Sequence, residues 1–236
     1  AMLIDTGDSD QGTKLQLYLT KQGVENLDYL VLTHPDADHI GGAPVIITKL
    51  GIGQLFLSNY EKDNKTTQKV RDAMQYKGLT ASDYQVGDTF ALGNASFTIL
   101  GPAKEYADSN NASIVIMVQN GNNRFLFTGD CEAEAEADLI ASGADLSADV
   151  YLAGHHGSDT ASSQAFMDAV SPTYAVISCG EGNSYGHPHA EVLNRFRSMG
   201  IQVFRTDEQG SEIAESDGTG ITWNCATSET WQAGER

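Results

Sequence analysis

Apolar positions in this chain fall into short runs separated by polar turns, and the runs follow two periods. "MLID", "LDYLVLTH", "GQLFLS", "SIVIMVQ", "RFLFTGD", "DVYLAGHH" and "TYAVISCG" are brief apolar runs that suit strands buried in a sheet. Between them, "TKLQLYLTKQG", "GGAPVIITKLG", "NKTTQKVRDAMQYKG", "EAEAEADLIASG", "SSQAFMDAV" and "AEVLNRFRSMG" carry helical spacing, and several end in the glycine that stops a helix. The alternation predicts an α/β chain, a sheet with helices on its outer faces.

The polar residues sort by position along those strands. Asp5 ends one strand, His34 another, Asp130 a third, and His155 with His156 a fourth, while Ser178 to His189 follow a fifth. All six histidines, His34, His39, His155, His156, His187 and His189, lie in these strand-end loops. Layered α/β proteins build their sites at the edge where strand ends converge, whereas histidines serving only the core or the surface would scatter.

Composition narrows the picture. The 236 residues suffice for a two-layer core, and no Pro/Ser-rich linker, low-complexity run or repeat divides them, so residues 1–236 are expected to form a single domain. A formal net charge of −18, from 32 acidic and 14 basic residues, disfavours passive docking on a long polyanion or an anionic membrane. No apolar run approaches the roughly 18 residues of a membrane span, and no membrane contact is expected from these residues. Cys131, Cys179 and Cys225 are odd in number and far apart, which supports neither a disulfide framework nor a Cys-x-x-Cys site. Cys131 follows Asp130 directly, and reads either as a small buried residue or as a neighbour of a metal.

The densest chemistry is "THPDADHIGG", residues 33–42. A tight turn after the strand directs His34 and Asp36 toward one point, while Asp38 and His39 open the next helix and reach a second point nearby. Two adjacent cations can then be held, with Asp130 as a shared carboxylate, and imidazole with carboxylate suits zinc, iron or manganese. Gly41 and Gly42 let that helix pack closely. Taken alone, the stretch reads equally as a polar helix cap; "FTGD" and "GHHGS" are what tip the balance to metal.

In this order, "LIDTG", "THPDADHIGG", "FTGD" and "GHHGS" resemble the metallo-β-lactamase-fold hydrolases, over about residues 3 to 205. More narrowly, the His-x-Asp-x-Asp-His loop with "HHGS" and "SYGHPH" is similar to the soluble domain of the ComEC-type DNA-uptake proteins and their stand-alone relatives, and to bacterial phosphorylcholine esterases. The resemblance implies an αββα sandwich with a dinuclear centre of two divalent metal ions, zinc or manganese. It makes His34, Asp36, Asp38, His39, Asp130 and one histidine of the 155/156 pair the ligands; His156 is taken as that ligand. It puts Asp5 behind them, fixing a ligand imidazole, with His155 toward substrate and His187 reaching over the metals to a substrate oxygen. Two departures stand out. Asp36 replaces the usual histidine, and residues 40 to 154 contain no histidine; the ComEC-like resemblance implies Asn111 or Ser113 of "NNAS" at that position. Three aspartates then harden the ligand set and favour manganese. The family's usual hairpin before "LIDTG" is also not among these residues, which open on Ala1 and Met2.

The implied chemistry is hydrolysis by a metal-activated water, oriented by Asp38, with His155 or His187 serving the oxyanion or leaving group. Gly157 and Ser158 read either as a turn or as donors to an anionic oxygen, and Tyr185 either packs or meets substrate. The expected substrate is a phosphodiester, in a small molecule or in nucleic acid, with Lys62, Lys65, Lys69 and Arg71 as a local cationic cluster that is equally an ordinary solvated helix. Ester, thioester or lactone hydrolysis is the enzymatic alternative, and a non-catalytic metal- or partner-binding domain is the other. The resemblance implies an extracytoplasmic domain of a bacterial membrane or secreted protein, and leaves the oligomeric state open.

Overall fold

The computed structural model describes residues 1–235. The chain runs β1 (Met2–Ile4), α1 (Gly12–Lys21), β2 (Asn26–Leu32), α2 (Ala37–Ile40), α3 (Ala43–Lys49), β3 (Gly51–Leu57), α4 (Lys65–Lys77), β4 (Thr89–Leu92), β5 (Ala95–Gly101), β6 (Val115–Asn120) and β7 (Asn123–Phe127). It continues through α5 (Ala133–Ala141), β8 (Val150–Leu152), α6 (Gln164–Val170), β9 (Tyr174–Ile177), α7 (Ala190–Ser198), β10 (Gln202–Arg205), α8 (Thr206–Gln209), β11 (Ala214–Ser216) and β12 (Ile221–Trp223). The expected strands and helices all form. The sequence pattern did not announce the β4–β5 pair, β10 or the β11–β12 hairpin.

Period-two alternation sorts side chains into layers. The first sheet is the parallel trio β1-β2-β3, with Ile4 opposite Val31 and Val31 opposite Phe56. On β2 and β3, Leu30, Leu32 and Leu55 face out against Ile46 and Ile47 of α3 and Val70 and Ala73 of α4. Val31 and Phe56 face in, meeting Phe97, Ile99 and Ile116 of the second sheet and Ile114 just before β6. That sheet runs β10-β9-β8-β7-β6-β5-β4, parallel from β10 to β7 and antiparallel from β7 to β4. Its outer face buries Met117, Leu126, Tyr151, Ala175 and Ile177 under Leu139, Phe166, Val170, Leu193 and Phe196 of α5, α6 and α7. Each fully buried Leu or Phe contributes roughly 1.5–3 kcal/mol. The result is the α/β fold expected, an αββα sandwich with one core between the sheets and one under each helical layer. Among the described residues no helix is long and apolar enough to cross a membrane.

Candidate metal centre

Strand ends of both sheets meet at one edge. From the first sheet come Asp5 after β1 and the Thr33–Asp36 turn between β2 and α2. From the second come Asp130 after β7 and a tight turn, Gly154–Gly157, after β8. Asp5, His155 and His156 hold left-handed backbones, with φ of 59°, 48° and 55°. Such conformations cost side-chain-bearing residues free energy, and they gather where a site needs them.

Each imidazole is turned by an acceptor at its Nδ1. His39 Nδ1 donates to Asp5 Oδ2 at 2.7 Å, and His156 Nδ1 donates to the Ser178 carbonyl at 2.8 Å. His155 Nδ1 lies 3.1 Å from Glu132 Oε1 and 3.0 Å from Thr160 Oγ1. The Thr33 hydroxyl gives its own proton to Asp5 Oδ2 at 2.7 Å, so it serves as an acceptor for His34 Nδ1 at 3.2 Å. Four imidazoles therefore keep their protons on Nδ1 and aim Nε2 lone pairs at one carboxylate, Asp130.

Asp130 divides them between its two oxygens. Oδ1 lies 3.2 Å from His39 Nε2 and 3.7 Å from His156 Nε2, while Oδ2 lies 3.7 Å from His34 Nε2 and 3.8 Å from His155 Nε2. Asp38 Oδ2 completes the first set, 3.2 Å from His156 Nε2 and 3.8 Å from His39 Nε2. Donor atoms of Asp38, His39, Asp130 and His156 all lie within 4.8 Å of one another.

This donor set fits a metal. The Nε2 atoms of His39 and His156 approach to 3.2 Å with their lone pairs converging, an arrangement that needs a cation or a proton between them. His34 Nε2 is buried without any hydrogen-bond partner, and buried polar atoms are rarely left so. Two carboxylates with two imidazoles suit zinc or manganese.

Electrostatics agree. Burial works against a charged His39, but hydrogen bonds to Asp130 and Asp5 raise it well above its ordinary value. Burial likewise opposes a charged His156, yet Asp38 and Asp130 raise it. Burial would raise Asp130, and His39, followed by the charges of His156 and His34, holds it well below the usual carboxylate range. Asp38 falls to about 2 through its hydrogen bond to His156. His34, desolvated and beside His39, falls to about 4. Clustered carboxylates that hold protons on neighbouring imidazoles are what a group able to bind a cation shows without one.

Other expected residues lie differently. Asp36 is not brought into the donor set: its Oδ1 accepts from Lys62 Nζ at 2.6 Å, which removes the geometric basis for a set hardened by that carboxylate. Asn111 is buried, and its Oδ1 accepts from the backbone N–H groups of Glu132 and Ala135, each at 3.1 Å; it holds the start of α5, not substrate. Ser113 is fully buried, with Oγ 3.2 Å from His34 Nδ1 and accepting from Asp130 N at 3.1 Å, so it braces those two residues. Ser158 is also buried; its amide donates to the His155 carbonyl at 2.8 Å and its hydroxyl pairs with Thr160, which makes it a closure of the turn. His155, expected to face substrate, shares the Asp130 Oδ2 side with His34. Cys131 packs in the core under the outer face of the second sheet, its thiol pushed up by burial. Gly41 and Gly42 do permit a close approach, though to the loop after β1: a side chain on Gly42 would fall 2.4 Å from the Thr6 carbonyl.

His187 is 7% exposed, its ring centroid 5.7 Å from that of His155 and 6.2 Å from that of His156. Asn183 fixes its backbone, accepting from His187 N at 3.0 Å and donating to His187 O at 2.7 Å. Burial, then the charges of His189, His155 and His156, lower His187 to about 4, so its ring is neutral near pH 7. Tyr185, 71% exposed, stacks on it at 5.6 Å and 20°. Sequence reasoning gave no role to Thr33, Glu132 or Ser178, and named Lys62 only as part of a cationic cluster, not as the partner of Asp36. Thr33 sits inside the signature stretch, and Glu132 and Ser178 carry no local signal.

The profile of the metallo-beta-lactamase superfamily matches residues 1–181. ComE operon protein 3 of Bacillus subtilis is 33% identical over 195 residues, which cover 82% of this chain and 25% of that protein. Competence protein ComA of Neisseria gonorrhoeae is 35% identical over 213 residues, 89% of this chain and 28% of that protein. The chain thus spans about a quarter of the length of these relatives. Among solved structures, Tm1679, a metal-dependent hydrolase of the beta-lactamase superfamily, matches with a TM-score of 0.56 at 13% identity, over 86% of this chain and 85% of that one. At that identity the likeness speaks for the fold alone. The motifs, the profile and the sandwich agree, and the chain belongs to the metallo-β-lactamase superfamily, on the branch of the ComEC-type competence proteins.

Proposed function

We propose that the chain is a phosphodiesterase that works with two divalent cations, zinc or manganese, which Asp38, His39 and His156 at Asp130 Oδ1 and His34 and His155 at Asp130 Oδ2 would hold. The observation that carries this reading is the division of one carboxylate between two sets of imidazole nitrogens, His39 and His156 on Oδ1 and His34 and His155 on Oδ2. When bound, the cations supply an acidified water and a polarised phosphoryl oxygen. The chain's residues do the rest. Asp5, Glu132, Thr33 and the Ser178 carbonyl hold the imidazole protons away from the donor set. Asp38, with its side chain 50% exposed, lies on the solvent side of the cluster and accepts a hydrogen bond from the attacking water, fixing its direction. His187, neutral and shielded by Tyr185, donates to a phosphoryl oxygen or to the leaving oxygen. The competence names of the relatives support a phosphodiester substrate, in nucleic acid or in a small molecule.

The test is chelation, reconstitution with zinc or manganese, and assay on bis-p-nitrophenyl phosphate beside p-nitrophenyl acetate and a lactone. Phosphodiester cleavage should return with metal, and His187→Ala should lower turnover at unchanged metal content. Cleavage confined to the carboxyl esters makes the chain an ester hydrolase. Bound metal with no cleavage at all makes it a binding domain.

A further inference from the structure

We infer that Lys62, held by Asp36 of the loop that carries His34, Asp38 and His39, receives the anionic oxygen of the substrate, and that the cavity it lines together with His34 takes an apolar group of the same molecule. The inference rests on the hydrolase reading above and names the substrate class for it: phosphate esters that carry an apolar ring.

Asp36 stands between His34 and Asp38 in the stretch that supplies the metal donors, yet its carboxylate turns to Lys62 Nζ at 2.6 Å. Lys62 is fixed at its other end too. Its carbonyl accepts from Thr67 Oγ1 at 2.7 Å, and Thr67 with Asn64 forms the capping box that starts the 13-residue helix α4. The ammonium group is thus tied between a helix start and the metal loop, while its side chain stays 37% exposed. A half-exposed ion pair of this kind adds only about 0–1 kcal/mol to stability, so stability does not account for placing an aspartate there. Charge supplies the reason. Asp5, Asp38 and Asp130 crowd the centre of a chain with 32 acidic against 14 basic residues, and an anionic ester approaching it needs a fixed cation nearby.

The cavity has a volume near 200 Å³; Leu32, Ile40, Leu57, Val70 and Met74 line it beside His34 and Lys62, and Glu61 and Arg71 add a second opposite pair of charges to its lining. A cavity of about 150 Å³ lined by aliphatic side chains holds a benzene ring. An ester whose oxygen pairs with Lys62 can therefore seat a six-membered ring against those walls.

The experiment uses the metal-loaded protein, with inorganic phosphate, methylphosphonate and phenylphosphonate as probes in titration calorimetry, elemental analysis for metal, and kinetics on bis-p-nitrophenyl phosphate. Lys62→Gln should keep full metal content while weakening phosphate binding and raising KM by about tenfold or more, as loss of a hydrogen bond from a charged donor implies. Lys62→Arg should recover most of that loss. Asp36→Asn should also keep its metal and show a smaller rise in KM. Phenylphosphonate should bind more tightly than methylphosphonate, and Met74→Trp, which fills the cavity from α4, should erase the difference. A metal equivalent lost in either variant, or phosphate affinity untouched by Lys62→Gln, overturns the role of the pair. Equal affinity for the two phosphonates overturns the role of the cavity. Phosphate binding that depends on Lys62 in a protein that cleaves no phosphodiester upholds the anion site and overturns only the proposed activity.

Discussion

Replacing Asp5 by asparagine isolates the proton placement on which the metal centre depends. The carboxylate accepts three hydrogen bonds, from Thr33 N at 2.8 Å, Thr33 Oγ1 at 2.7 Å and His39 Nδ1 at 2.7 Å. Asparagine suits the backbone, since φ of 59° is a region it enters more readily than most residues. Its amide keeps one oxygen for Thr33 N and turns an NH₂ group toward the other two partners. The Thr33 hydroxyl can rotate and accept. His39 Nδ1–H meets a donor and must lose its proton, which leaves the ring protonated at Nε2, the atom that faces Asp38, Asp130 and His156. Removing the partner that orients a ligand imidazole lowers metal affinity about 10–100-fold, or about 1.4–2.7 kcal/mol. The metal-free protein should also lose about 1.5–3 kcal/mol, the worth of a hydrogen bond to a charged group, because the Asp5 side chain is only 17% exposed. Competition with a metallochromic chelator measures the first effect, and urea unfolding of the chelated protein the second. An affinity within about threefold of the parent, far short of the loss expected for an orienting partner, refutes the reasoning.

Asp130→Asn should reduce metal binding at both proposed cation positions and abolish the proposed hydrolysis, and elemental analysis showing parental metal content would exclude a shared carboxylate. Gly129→Ala should destabilise the fold by about 1–3 kcal/mol in urea, the usual cost of overpacking. Its φ is 54°, and a Cβ there would fall 2.8 Å from Ser113 Oγ and 3.0 Å from Thr33 Oγ1, the two hydroxyls beside His34. The pH response follows from His39, raised in the fold above its ordinary 6.5. Below 6.5 the ring is protonated in both the folded and unfolded states and its stabilisation is complete; as pH rises through the folded value, that stabilisation is lost. Chelated protein should therefore unfold at lower urea concentration at about pH 8 than at about pH 6, while metal affinity rises over the same interval because binding displaces that proton.

The layers were legible in the sequence because Leu30 and Leu32 alternate with Tyr29 and Val31, a pattern that fixes which face each residue takes. The site was legible as a neighbourhood because its histidines sit at strand ends, and strand ends share an edge. The pairings within that neighbourhood were not. Which of His155 and His156 meets which oxygen of Asp130 depends on two successive left-handed residues, and no periodicity encodes that turn. Asp36 was assigned by its place in a motif, and only the tertiary approach of a lysine 26 positions away redirects it. Asn111 had the polarity of a binding residue, but an amide oxygen beside the free N–H groups of a helix start bonds them first. The β4–β5 pair escaped because "TFALGNASFTIL" mixes alanine and serine into its strands, weakening the alternation.

The left-handed backbones of Asp5, His155 and His156 have a consequence for anyone evolving this protein. Each conformation costs roughly 1–3 kcal/mol with a full side chain present, and glycine or asparagine relieves it. Selection on melting temperature alone will thus drift toward glycine and asparagine at 155 and 156 and dismantle the centre while every such variant looks improved. Selection on turnover will hold the histidines and accept a softer fold. Run in parallel from the same parent, the two selections should diverge first at these turn positions, and the gap in melting temperature between their winners would measure how much rigidity the fold forgoes to keep its cation site assembled.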